Sequence, residues 1–298
     1  MVTLALAGLV FAAALPQRAE FQTDTTVTVP AGTRLSLQNV VGDVIVKTWD
    51  RAQVRIQASH SSRSRIGVDL SEQVLRLQPR SSNQMGGWGS MVDYQLTVPT
   101  SMAIDIEGMG ADVRVEGTRA PVKVNTVEGG ITVTGGTDLV LVTVNGTISA
   151  AGARGRVELR SVSEDVAASD VIGELTVETV SGDIHLTRVD GRRVEAQTVS
   201  GNVTFEGALR SDGTYSLSTH SGDVTVAVPE GASALISTAV VNGDVSASFD
   251  LPASERASRR RQSYRLGGGG ASIELETFSG DIHLVRPNEI RVRKDKEE

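Results

Sequence analysis

The chain has 298 residues, with 29 Lys and Arg against 36 Asp and Glu, a net charge of −7, no cysteine and 3% aromatic residues. Without thiols there is no disulfide framework and no thiolate metal site. An acidic balance also argues against nucleic acid as a partner, since that needs a basic surface.

Met1 to Leu15 is an uncharged, mostly apolar run, too short to span a bilayer and followed by small residues. It reads as a secretory signal peptide over residues 1–19, cut near Ala14 or after Ala19, with a buried first strand as the alternative. No Lys or Arg precedes the run, which is unusual for such a signal. No second long apolar run follows, so no transmembrane span is expected in the mature chain.

Residues 20–100 are rich in strand patterns but irregular. Val54-Arg55-Ile56, Val74 to Leu77 and Tyr94 to Pro99 alternate in the manner of strands, and Ser81 to Ser90 reads as a flexible loop. Leu35 to Val46 already contains a unit that recurs later. A stacked coil leaves an open sheet edge at each end, and residues 20–100 are expected to form an N-terminal β capping region for one.

From residue 101 to 286 the chain repeats itself. Thr179-Val180-Ser181-Gly182-Asp183-Ile184-His185-Leu186 returns as Thr277-Phe278-Ser279-Gly280-Asp281-Ile282-His283-Leu284, with looser copies at Thr198 to Val203, Thr219 to Val224 and Val241 to Val245. The first apolar residue after each turn marks the register: Val44, Val113, Ile131, Ile148, Val166, Ile184, Val203, Val224, Val245 and Ile282. From Val113 to Val245 the marks are 17 to 21 residues apart. Apolar residues precede the marks by nine and seven positions, with Thr238 the one polar member, and follow them by two, so one face of each strand is expected to be buried. A two-residue hairpin needs about a dozen residues. A step near 18 instead suits one turn of a coil whose equivalent strands pair in parallel. The fold expected is therefore all-β, a parallel β-solenoid or β-helix with about 18–21 residues per rung. The alternative is a sandwich built from hairpins. Residues 250–270 form an irregular excursion carrying Arg259-Arg260-Arg261, either a solvated loop or a contact for anionic lipid or polysaccharide. Residues 287–298 form a charged tail.

Stacking turns the repeat into columns of like residues. Gly42, Gly129, Gly146, Gly182, Gly201, Gly222, Gly243 and Gly280 occupy a tight corner, for which φ > 0 is the expected reason; Ala111 and Glu164 depart from the series. The next column is acidic. Its expected use is an Asx-turn within each corner, and the sharper alternative is a carboxylate ladder for a divalent cation at Asp165, Asp183, Asp223 and Asp244. Sequence order places Asp165 beside Asp183 and Asp223 beside Asp244. A Thr column (Thr126, Thr143, Thr179, Thr198, Thr219 and Thr277, with Ser161) offers stacked hydroxyls but no matched catalytic base. His185 and His283 share a repeat position several rungs apart, too far to share a metal. No cofactor is implied.

The strand YQLTVP at Tyr94–Pro99, the following rungs and the repeated T-x-SGD turns together resemble the bacterial putative-adhesin family of β-strand-repeat domains of unknown function, over roughly residues 30 to 286. The resemblance implies an exported β-solenoid of the periplasm or cell surface, a non-enzymatic binding or scaffold module for a protein or glycan ligand. The family has no established catalytic residues to carry over. Two other roles remain open at this point: an accessory protein of envelope stress or signalling, and a carbohydrate-active β-helix enzyme.

Overall fold

The computed structural model describes residues 22–61, 64–81, 91–252, 255–256, 261–287 and 289–290. The expected signal peptide, the Ser82–Ser90 part of the loop, Arg259 and Arg260 and the end of the charged tail lie outside them.

Among the described residues, alternation at period 2 builds ten rungs, each of two limbs joined by a tight corner that carries Gly in most rungs. The first limbs pair in parallel from Arg34–Val41 through Ile104–Gly110, Arg154–Arg160 and Ile172–Glu178 to Thr214–Ser221. The second limbs pair likewise from Val44–Trp49 through Ile148–Ala151, Val166–Ser169 and Val203–Gly207 to Val224–Ala227. Three long strands, Val113–Asn125, Ile131–Val142 and Ile184–Ser200, turn the second limb of one rung directly into the first limb of the next. The solenoid is thus parallel and stacked, not a set of hairpins.

Between the two ladders lies the core. Leu175, Val177 and Ile184 of one rung sit on Val157, Leu159 and Val166 of the rung before, all fully buried. Burying each such side chain contributes about 1.5–3 kcal/mol, and no rung could do this alone. The core is thin and holds few rings; Tyr94, Phe205 and Tyr215 are its largest buried side chains.

At the N-terminal end, Val92–Pro99 runs parallel to Val44–Trp49, and the antiparallel strands Gln53–His60 and Thr23–Thr28 lie beyond it. On the other ladder Val74–Ser81 runs parallel to the start of Arg34–Val41, with Ser64–Ser71 antiparallel outside it.

The C-terminal rungs do not stack in chain order. The first limb Ala271–Ser279 pairs with Thr214–Ser221 on one side and with Ala234–Asn242 on the other. The second limb Ile282–Val285 lies between Val224–Ala227 and Val245–Ala247. The chain therefore completes the outermost rung first. It then runs back through Arg261–Leu266, antiparallel to Ala234–Asn242, and inserts its last rung one place inward. Asp223 consequently has Asp281 as its neighbour, and Asp244 follows Asp281, which corrects the adjacency taken from sequence order.

Candidate functional site

The repeated corner is where the polar residues gather, and its geometry assigns each column a task. The glycines are required by close approach. A Cβ on Gly182 would stand 2.4 Å from the carbonyl oxygen of Glu164, and on Gly201 2.1 Å from that of Gly182. Gly222, Gly280 and Gly243 meet the preceding corner at 2.0–2.1 Å in the same way. Positive φ is not the common factor. Gly201 and Gly222 have it, whereas Gly146 and Gly182 do not, so the conformational reason expected from sequence gives way to a steric one at those two positions.

The same glycine carbonyls accept a hydroxyl from the next rung. Thr198 Oγ1 donates to Gly182 O at 3.1 Å, Thr219 Oγ1 to Gly201 O at 2.9 Å and Thr277 Oγ1 to Gly222 O at 3.0 Å. These threonines are nearly fully buried, so an inward hydroxyl needs such a partner.

The acidic column completes the corner. The backbone N–H of Asp183 donates to Asp165 Oδ1 at 2.7 Å, that of Asn202 to Asp183 Oδ1 at 2.7 Å and that of Asp223 to Asn202 Oδ1 at 2.9 Å. Further along, Asp281 N–H donates to Asp223 Oδ1 and Asp244 N–H to Asp281 Oδ1, both at 2.8 Å. Each carboxylate thus accepts from the next rung, not from its own turn as an Asx-turn would. Charge-assisted bonds of this kind are roughly twice as strong as neutral ones, and they hold the backbone of Asp183 against the Asp165 carboxylate. Asn202 serves as well as Asp because the task needs an oxygen acceptor, not a charge. In the first rung Asp43 follows the same scheme against the neighbouring parallel strand Val92–Pro99. Its N–H donates to Asp93 Oδ1, and burial, followed by the nearby Asp93 and Asp112 carboxylates, pushes its own carboxyl above the usual range.

Because the last rung is inserted, one mixed cluster that sequence order hides arises among the described residues. Ligand atoms of Asp223, Asp281 and His283 all lie within 4.8 Å of one another. His283 Nε2 is 3.8 Å from Asp223 Oδ2, and its Nδ1 bonds Ser246 Oγ at 2.7 Å. Two carboxylates and an oriented imidazole form a donor set that a divalent cation accepts. His185 lies three rungs away in the same ladder and takes no part.

At the N-terminal end, an open cleft of about 410 Å³ is lined by Val29, Trp49, Arg51, Pro99, Met102 and Arg119, among others. Trp49 donates its indole N–H to Gln53 O at 2.7 Å, and the Arg51 guanidinium lies 5.1 Å from the ring centroid. Aromatic wall and guanidinium together suit a planar or anionic ligand group.

One column escaped the reading of alternation altogether. Four residues before each mark, on the outer face of the first limb, stand Val127, Val144, Val162, Val180 and Val199, then His220, Phe278 and Val241 in spatial order. The six valines are 36–45% exposed and Phe278 46%. The signal was present in the repeat as the residue between Thr and Ser in T-V-S-G-D. Along any one strand it is a single outward valine, and only down the stacked rungs does it become a column.

The sequence matches the Toastrack DUF4097 family over residues 7–285. No curated protein matches it. Among solved structures, similarity extends to a putative adhesin from Parabacteroides distasonis, 11% identical, over 88% of this chain and 96% of that one, with a TM-score of 0.44. A putative adhesin from Bacteroides fragilis is 14% identical over 88% and 96%, with a TM-score of 0.40. A putative cell adhesion protein from Clostridium sporogenes is 8% identical over 89% and 99%, with a TM-score of 0.21.

Proposed function

The chain belongs to the Toastrack DUF4097 family, and within it we propose an exported, non-enzymatic binding or scaffold module of the cell envelope. The observation that carries this reading is the fate of the repeat's chemistry. Its hydroxyls and carboxylates accept from or donate to the backbone of the adjacent rung, so the groups a hydrolase would need are committed to holding a rod together. Ten rungs at about 4.8 Å span on the order of 45 Å, a length suited to displaying a face or bridging layers. The strands outside the first rung serve as its cap, and the cleft beside Trp49 is the seat assigned to a small envelope ligand. Among the described residues no helix is long and apolar enough to cross a membrane, and export is assigned to residues 1–19.

Cell fractionation with N-terminal sequencing of the exported protein tests the location. A screen of glycans and envelope fractions, read by titration calorimetry and run beside hydrolase and lyase assays, tests the role. Saturable binding lost in Trp49→Ala, without turnover, is the expected result. Turnover of a polysaccharide overturns the reading.

A further inference from the structure

The exposed apolar column runs the length of the coil. Val40 and Met109 stand at the same position in the first two rungs, Met109 being 52% exposed. The backbone holds the column in register. The N–H groups of Asn145, Ser163, Ser181 and Ser200 donate to the carbonyls of Val127, Val144, Val162 and Val180 at 2.8–3.1 Å, so successive side chains are fixed one rung apart.

Its surroundings are poor in charge for a protein of net charge −7. The column on the corner side is Asn145, Ser163, Ser181, Ser200, Ser221 and Ser279 over the central rungs, with Glu128 and Asn242 at its ends. On the other side, Arg160 pairs with Glu178 at 3.0 Å and Arg261 with Glu276 at 2.9 Å. An apolar centre depleted of charge inside a paired polar rim is the composition of a protein interface.

The faces of the two rings are not offered to a sugar. His220 and Phe278 stack on each other with centroids 4.7 Å apart and planes 9° from parallel. Val199 and Val241 stand on the rungs to either side, so the stacked rings are flanked by the neighbouring valines and continue the column.

Spacing selects the occupant. The knobs repeat at about 4.8 Å, whereas same-face residues of an extended peptide repeat at about 6.7 Å and a helix turn at 5.4 Å. Over ten rungs either would drift out of step by more than a rung. Another solenoid of the same repeat does not drift. Nine steps give a strip about 43 Å long, and with its two flanking columns about 15 Å wide, so two copies would bury roughly 1,300 Å², within the range of stable dimers.

We propose that this valine column is the docking face for a second copy of the chain, packed antiparallel about a two-fold axis between Val162 and Val180. Val180 of one copy then packs against Val162 of the other across the axis, in a dry contact of like side chains, and the two-fold makes the contact isologous and closed. The proposal does not depend on the scaffold reading and stands if that reading fails.

Sedimentation velocity of the purified protein across a wide concentration range tests it, beside the doubly substituted Val162→Lys, Val180→Lys. Both side chains are exposed in the single chain, so the variant is expected to melt as the native protein does while its dimer dissociation constant rises about 100-fold or more. A native protein that stays monomeric, or a dimer that tolerates both lysines, overturns the proposal. Because the chain has no cysteine, single substitutions give an independent reading. Val180→Cys, one rung from its own copy across the axis, is expected to cross-link with a short bifunctional maleimide, and Val127→Cys, about five rungs from its own copy, is not. Equal cross-linking of both overturns the antiparallel arrangement. A monomer that instead binds a glycan or a vesicle through this column overturns the second-copy assignment and leaves the scaffold reading intact.

Discussion

Gly182→Ala separates the steric account of the corner from the conformational one. Gly182 does not have positive φ, yet its Cβ would lie 2.4 Å from Glu164 O and 2.5 Å from Glu164 C. Ordinary contact begins near 3.4 Å, so 3.4 − 2.4 leaves about 1 Å of displacement between two stacked backbones. That shift strains three bonds at once: Gly182 N–H to Ser200 O, Thr198 Oγ1 to Gly182 O and Asp183 N–H to Asp165 Oδ1. Overpacking alone costs about 1–3 kcal/mol and each weakened bond up to about 1 kcal/mol, so a loss of about 2–4 kcal/mol is expected. Gly231 supplies the converse case, with φ of +72° and nothing within 4 Å of its Cβ. Gly231→Ala then carries only the left-handed strain of about 1–2 kcal/mol, offset by lost freedom in the unfolded chain. Urea unfolding midpoints of the two variants, at matched m-values, decide the matter. A Gly182→Ala loss no larger than that of Gly231→Ala would refute the close-approach argument.

Other tests address the remaining columns. Thr198→Val keeps the shape but leaves the carbonyl of Gly182 without its hydroxyl, and a loss of about 1–3 kcal/mol in chemical denaturation is expected; an unchanged midpoint would mean that the bond contributes nothing. Asp183→Asn keeps the acceptor for Asn202 N–H and is expected to be near neutral, whereas Asp183→Ala removes it and should cost about 1–2 kcal/mol more; equal effects would show that charge, not the acceptor, matters. For Asp43 the folded chain holds the proton more tightly than the unfolded chain, so this group's contribution falls as pH rises from the ordinary carboxyl range through its raised folded value. Asp43→Asn is therefore expected to raise the melting temperature at neutral pH and to lose that advantage below about pH 3; a gain that persists in acid would point to another cause.

The solenoid was legible because its signal is redundant: ten marks in one register fix pairing direction, limb length and inward face together. The N-terminal region was less legible, since Gln53–His60 and Val92–Pro99 pair antiparallel and nothing in their alternation distinguishes that from a parallel rung. The corner columns were visible as residue types, but the partners of their side chains were not. Within a single repeat, an Asp after Gly has an N–H of its own turn to bond. Only stacking brings the next rung's N–H to 2.7 Å from Asp165. The valine column was missed for a related reason, since its meaning lies in repetition across rungs that a strand-by-strand reading averages away.

The insertion of the last rung can be argued from the same residues. Two rungs compete for the place beside Thr214–Ser221. One offers Ile282 and Leu284 to the core; the other offers Val245 and Ala247. In the structure Ile282 and Leu284 are fully buried, and the smaller pair is only partly buried at the outer end. Exchanging them would bury the pair with less apolar area and expose the pair with more, an unfavourable trade at about 25 cal/mol per Å². The hydroxyls favour the same order. The rung ending in Ile282 and Leu284 carries Thr277, which bonds Gly222 O, while its competitor has Val240 at that place and cannot donate. With the observed order, the carbonyl that lacks a hydroxyl is that of Gly280, beside a terminal rung whose Gly243 and Asp244 are exposed, and water can reach it. In chain order the uncapped carbonyl would be that of Gly222, one rung deeper. A near-verbatim copy of an interior unit at the end of the chain therefore marks an interior rung, displaced in sequence but not in space.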